Sequence, residues 1–113
     1  MLAKENRIRL NKEFDRVFKT GQSFYAKAIG IKTASSDLKY ARFGILVGLK
    51  VSKKAVIRNK VRRQIRAIIS QELPKLKPEK DIAIIVFPLI LEKNFEEIKK
   101  TLIFGFKKLD LYK

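Results

Sequence analysis

Cysteine and histidine are both absent from this 113-residue chain. Without thiols there is no disulfide framework, no zinc knuckle and no thiolate chemistry. Without imidazole the common acid–base pair of a protein nuclease has no members. Acids are scarce as well, with 11 Asp/Glu against 27 Lys/Arg. The nearest acidic neighbours, Glu13 with Asp15 and Glu96 with Glu97, lack the converging partners needed to hold two metal ions, so neither catalytic nor metal-ligating residues are expected. No 18 uncharged apolar residues follow one another, and the opening MLAKENRIRL is charged from Lys4 onward. That pattern fits neither a membrane span nor a secretory signal. A soluble, unprocessed protein of a reducing cytoplasm is the expectation. No linker, repeat or low-complexity tract interrupts the chain, and 46% apolar residues suffice for a single core, so one domain over residues 1–113 is expected.

What the sequence has in excess is positive charge. A formal net charge of +16 on so short a chain creates self-repulsion that makes sense if the partner is a polyanion. The excess is uneven. Residues 1–66 hold 18 Lys/Arg and 4 acids, whereas residues 67–113 hold 9 Lys and 7 acids, and all eight arginines lie at or before Arg66. Arginine presents a planar fork suited to phosphate and to stacking, while lysine is a hydrated point charge. The arginine-bearing part is therefore expected to be the working surface, with the C-terminal part supporting it.

Elements follow from periodicity and capping. Asn11 is a suitable helix N-cap, Glu13 sits in the first turn, and Gly21 follows the end, which predicts a helix over residues 12–19. SFYAKAIGIKTAS and YARFGILVGLKVS, separated by the turn-like SSDLK, are rich in β-branched and aromatic residues and read as paired strands. DIAIIVF, closed by Pro88, suits a central strand. Asn94 or Glu92 opens a last helix to about Leu109, with Phe95, Ile98, Leu102 and Phe106 on one face.

The stretch KVSKKAVIRNKVRRQIRAII is the most informative. Ile57, Val61, Ile65, Ile68 and Ile69 recur at helical spacing and form one apolar stripe, while Arg58, Lys60, Arg62, Arg63 and Arg66 take the other faces. Like charges four apart cost an isolated helix a few tenths of a kcal/mol per pair. Each buried isoleucine returns roughly 1.5 to 3 kcal/mol, so the helix forms despite its charge. Lys53 and Lys54 fall at its N-terminus, where free N–H groups can receive a phosphate. Asn59 carries a donor and an acceptor, so it can fix a neighbouring side chain or read a sugar or base.

AVIRNKVRRQIR resembles the Arg-Asn-Arg signature of the bacterial ribonuclease P protein component, and ENRIRLNKEFDRVFKTG and FGILVGLKVSKK resemble that family's opening segment and the strand before its signature helix. The resemblance implies an α+β fold, a two-layer α/β sandwich of order α-β-β-β-α-β-α with an unusual left-handed crossover between parallel strands, like that of some ribosomal proteins. It implies a subunit that binds the catalytic RNA and the 5′ leader of precursor tRNA and assists removal of that leader. By position, Arg58, Asn59 and Lys60 are the signature triplet, with Lys60 where arginine is more usual. Arg62, Arg63 and Arg66 match further RNA-facing positions, as do Arg7 and Arg9 in a basic N-terminal arm that equally reads as a solvated end. Phe14 and Phe18 match aromatics of the leader cleft, although two rings four apart on a helix are also ordinary core packing. Lys32 stands where the family often carries a cleft aromatic, and a Gly-containing insert that usually precedes AV is missing after Lys54.

In such a ribonucleoprotein the RNA carries the chemistry with bound Mg²⁺, so no cofactor of the protein's own, no membrane and no obligate protein partner are expected. A ribosomal or other structured-RNA-binding protein is the alternative, since it would share the size and charge. A basic membrane-surface helix is a third reading, but it needs an apolar face beyond the one the core consumes.

Overall fold

The computed structural model describes residues 6–8 and 11–113. Arg9 lies outside the described residues, as do the side chains of residues 11–13 and 20, so the cap expected at Asn11 and the first-turn charge of Glu13 fall outside them too. The elements are α1 (Asn11–Thr20), β1 (Gln22–Tyr25), β2 (Ile29–Ser35), β3 (Arg42–Val47), α2 (Ala55–Glu72), β4 (Lys80–Val86) and α3 (Phe95–Lys108), with short 3-10 turns at Leu73–Lys75 and Pro88–Glu92.

The four strands form one sheet in the order β1-β2-β4-β3. β1 and β2 are an antiparallel hairpin, β2 and β4 are antiparallel, and β3 and β4 run parallel, joined through α2. Pairing of the two β-rich stretches with each other does not occur. The first stretch folds into the β1–β2 hairpin by itself, and β4 lies between β2 and β3. The cause is composition: Ile82, Ala83 and Ile84 are fully buried, so β4 needs cover on both faces and takes the central place.

Side chains alternate across the sheet. Ile29 and Ile31 of β2, Phe43 and Val47 of β3, and Ile82, Ile84 and Val86 of β4 meet Val61, Ile65, Ile68 and Ile69 of α2 and Ile98, Leu102 and Phe106 of α3 in the main core. This is the expected sandwich of sheet and helices. On the opposite face α1 lies across one end of the sheet, with Val17 packed on Ala34 and Ala83. The α2 stripe is buried as expected at Val61, Ile65, Ile68 and Ile69, while Ile57 at its start is half-buried and Glu72 is buried at the far end. α3 begins at Asn94 with a capping box, the Asn94 side chain accepting from the Glu97 N–H at 2.9 Å and Glu97 returning the bond at 3.0 Å.

Buried Glu72 is satisfied by the chain's end. The Tyr112 hydroxyl donates to Glu72 Oε1 at 2.8 Å, while the Lys77 N–H donates to the Leu111 carbonyl at 2.7 Å. Burial, and then the bond to Glu72, push the Tyr112 phenol well above its ordinary value. The folded state therefore favours the protonated phenol. Its contribution is complete below the ordinary tyrosine value near 10 and fades as pH rises beyond it. Tyr112→Phe is expected to cost about 1 to 3 kcal/mol by leaving the carboxylate short of a donor. Urea unfolding at neutral and alkaline pH checks this, and the gap between wild type and variant should narrow at alkaline pH.

Candidate nucleic-acid interface

α2 starts without an insert. The Val51 N–H donates to the Gly48 carbonyl at 3.1 Å, buried Val51 anchors the turn, and Ser52 Oγ accepts from the Lys54 N–H at 3.1 Å. Lys54 is the N-cap residue but offers no side-chain cap, and Lys53 and Lys54 are both exposed there. Arg58 turns back and donates to the Ser52 carbonyl at 2.9 Å. A short loop is thus closed by the first arginine of the signature triplet.

Asn59 fixes a neighbour. Its Oδ1 accepts from Arg62 Nη1 at 2.9 Å, and Arg62 Nη2 reaches the Val47 carbonyl, at the end of β3, at 3.3 Å. The fork of Arg62 is thereby oriented with no acid involved. Lys60 and Arg63 are exposed, and among the described residues neither has a hydrogen bond or ion pair. Arg66 is half-buried. Burial, and then the nearby guanidinium charges of Arg7 and Arg62, push it below the ordinary arginine value. Cations crowded this closely are what an anionic ligand relieves.

Arg7 belongs to the same group because the N-terminal segment runs beside β3. The Ile8 N–H donates to the Phe43 carbonyl at 2.9 Å, and the buried Asn6 amide donates to the Ala41 carbonyl at 2.7 Å. At Arg7 the arm is therefore docked on the sheet edge and is not a frayed end. A cavity of about 340 Å³ lies between Arg7, Arg66, Phe14, Gly44 and Leu46, so the arm, α1, α2 and the sheet share one site.

Phe14 and Phe18 lie together on the second face of the sheet. They pack on Val17, Ala34 and Ala83, yet each remains half-buried rather than enclosed. Their ring centroids are 6.4 Å apart with planes at 28°. A Cβ at Gly44 would run into the Phe14 ring, so the absent side chain is what lets that ring settle on β3. Lys32 lies two strands away on the same face, its ammonium 5.7 Å from the centre of the Phe18 ring. Lys32 thus makes a cation–aromatic contact with that ring.

Within the arginine-bearing part of the chain, Arg16 and Arg42 serve the fold. Both are bound to Asp81, which is 0% exposed at the start of β4. Arg42 donates Nε to Oδ1 at 2.8 Å and Nη2 to Oδ2 at 2.6 Å, and Arg16 bridges Asp81 to the Ser35 carbonyl, the latter at 2.6 Å. Arg16 thereby ties α1 to the sheet, and Arg42 ties β3 to β4. Asp81 is the one acid within β4, but nothing along the chain indicates which arginines it takes. Among the described residues, no three acidic, histidine or cysteine side chains converge as a metal site, and no helix is long and apolar enough to cross a membrane.

The Ribonuclease P family model matches residues 2–110. The chain belongs to the ribonuclease P protein family. Ribonuclease P protein components of Bacillus pumilus and of a Pseudanabaena species are 39% and 36% identical to it, covering 98% and 87% of this chain and 93% and 85% of their own lengths. The solved ribonuclease P protein of Staphylococcus aureus superposes with a TM-score of 0.88 at 27% identity, covering 96% of this chain and 98% of that one. That of Thermotoga maritima gives 0.76 at 27% identity over 86% and 91%. Membership supports the role of a subunit of an endoribonuclease in tRNA 5′ processing over that of a ribosomal protein.

Proposed function

We propose that this chain, as one RNA-binding domain over residues 1–113, lays the α2 face on the catalytic RNA of ribonuclease P and holds the 5′ leader of precursor tRNA across the sheet. Lys53, Lys54, Arg58, Asn59, Lys60, Arg62, Arg63 and Arg66, with Arg7 and Arg9 of the arm, contact RNA phosphates. Phe14, Phe18 and Lys32 contact the single-stranded leader. The RNA performs hydrolysis with its own Mg²⁺, the protein binding no cofactor and needing no other protein, in the cytoplasm and away from membranes. The protein screens phosphates and adds affinity for substrate over product, because only the substrate has a leader. The observation that carries this reading is that Arg58, Arg62 and Arg63 share the α2 face with no acid bound to any of them among the described residues.

Reconstitution with a bacterial ribonuclease P RNA at low Mg²⁺ tests it. Adding the protein should strongly raise precursor cleavage, and no stimulation would overturn the assignment. Phe14→Ala should weaken long-leader precursors by about tenfold, in keeping with the loss of one base–aromatic stack, and leave leaderless tRNA unaffected. Equal loss for both RNAs would place that ring in the core alone.

A further inference from the structure

Tyr25 is 55% exposed, and none of the contacts described so far uses it. It ends β1 directly opposite Gly30 of β2. Gly30 shares a sheet face with Lys32 and Ala34, since alternate residues point the same way, and Ala34 is the one packed under α1. A Cβ at Gly30 would meet Tyr25 Cδ1 at 2.8 Å and Cε1 at 2.9 Å, with Phe87 Cε2 at 3.4 Å. The tyrosine ring therefore rests on the glycine backbone beside Phe87, on the face of the sheet that carries Phe14 and Phe18.

The support is firm. The Phe87 N–H donates to the Ala28 carbonyl and the Ala26 N–H to the Ile29 carbonyl, both at 2.9 Å, so the hairpin end is pinned on both sides of the ring. Gly30 also continues a row across the sheet, through Ile85 to Leu46. Those two side chains are half-buried, beyond the end of the sheet that α1 covers. From strand spacing and rise, Gly44 and Gly30 are about 12 Å apart. Two aromatic rings, each seated on a glycine, thus stand at opposite corners of one apolar strip, with the Lys32 ammonium alongside.

We infer that Tyr25, held on Gly30 beside Phe87, is a second base-stacking platform that takes a different nucleotide of the single strand that Phe14 engages. This rests on the proposed function of the cleft and extends it. The strip commits to RNA because it is continuous with the cationic group of Arg7, Arg62 and Arg66 through the cavity at Phe14. Stacking on a ring face tolerates any base, so the platform adds a dependence on leader length and not on leader sequence.

The test uses the reconstituted holoenzyme and two precursors, one with a long leader and one whose leader is trimmed to a single nucleotide. Tyr25→Ala should weaken the long-leader precursor by about tenfold and the trimmed one not at all, and Tyr25→Phe should restore binding. The chain has no tryptophan, so Tyr25→Trp provides one fluorophore whose emission should be quenched by the long leader and not by the trimmed one. Because the ring is exposed, thermal unfolding of all three variants should match wild type. Unchanged binding in Tyr25→Ala, or equal loss for both precursors, would overturn the platform. If Phe14→Ala still loses leader-dependent affinity in that case, the cleft reading stands without Tyr25. If neither variant loses it, the cleft reading fails with the platform.

Discussion

Replacing Asp81 by alanine is expected to cost about 3 to 5 kcal/mol of stability, the range found when one partner of a buried ion pair is removed. The carboxylate is 0% exposed and receives both Nε and Nη2 of Arg42 as well as the Arg16 guanidinium. Arg42, with a side chain only 17% exposed, would lose its buried counter-charge, whereas Arg16, at 40%, can turn toward water. Most of the cost therefore arises at Arg42. Since a whole ionic group exchanged for apolar residues is often neutral or stabilising, the combined variant Arg16→Met, Arg42→Met, Asp81→Leu should recover much of the loss. Urea denaturation midpoints decide the matter. A loss under about 1 kcal/mol in Asp81→Ala would show that the buried ionic group does not stabilise the fold.

The second large effect belongs to RNA binding. Arg63→Ala should lower affinity for ribonuclease P RNA and reduce the slope of log affinity against log salt by about one, with no change in melting temperature, because Arg63 is exposed and has no bond among the described residues. Arg62→Ala should do the same and also release Asn59 and the Val47 carbonyl. Neutralising Arg58, Lys60, Arg62 and Arg63 together removes up to four phosphate contacts, for a loss of roughly two to three orders of magnitude at 0.2 M salt. Binding curves taken over a salt series separate this from simple unfolding. Parallel lines for wild type and the fourfold variant would remove α2 from the interface.

Both effects trace to residues whose roles differ in how far they could be read in advance. The α2 stripe, the β4 run and the Asn94 start of α3 are encoded within a few residues, by spacing and capping, and the structure has each of them where those signals lie. Arg58, Asn59, Lys60, Arg62 and Arg63 come together for the same reason, since one helix sets their separation. Pairing of β2 with β3 was a reasonable expectation from proximity in the chain and does not occur, because the more deeply buried β4 takes the position between them. Arg16 and Arg42 looked like the other arginines, and only a carboxylate 39 residues beyond Arg42 removes them from the surface group.

The sequence by itself determined a basic, cysteine-free and histidine-free domain, its helices, its central strand and the cationic face of α2, since composition and short-range periodicity are properties of neighbours along a chain. Tertiary structure alone decided the strand order, the seating of Phe14 on Gly44 and Tyr25 on Gly30, the docking of Arg7 beside Arg66, and the capture of Arg16 and Arg42 by Asp81. Those choices depend on which apolar faces and buried charges meet across distant segments, and that is settled only when the layers close on one another.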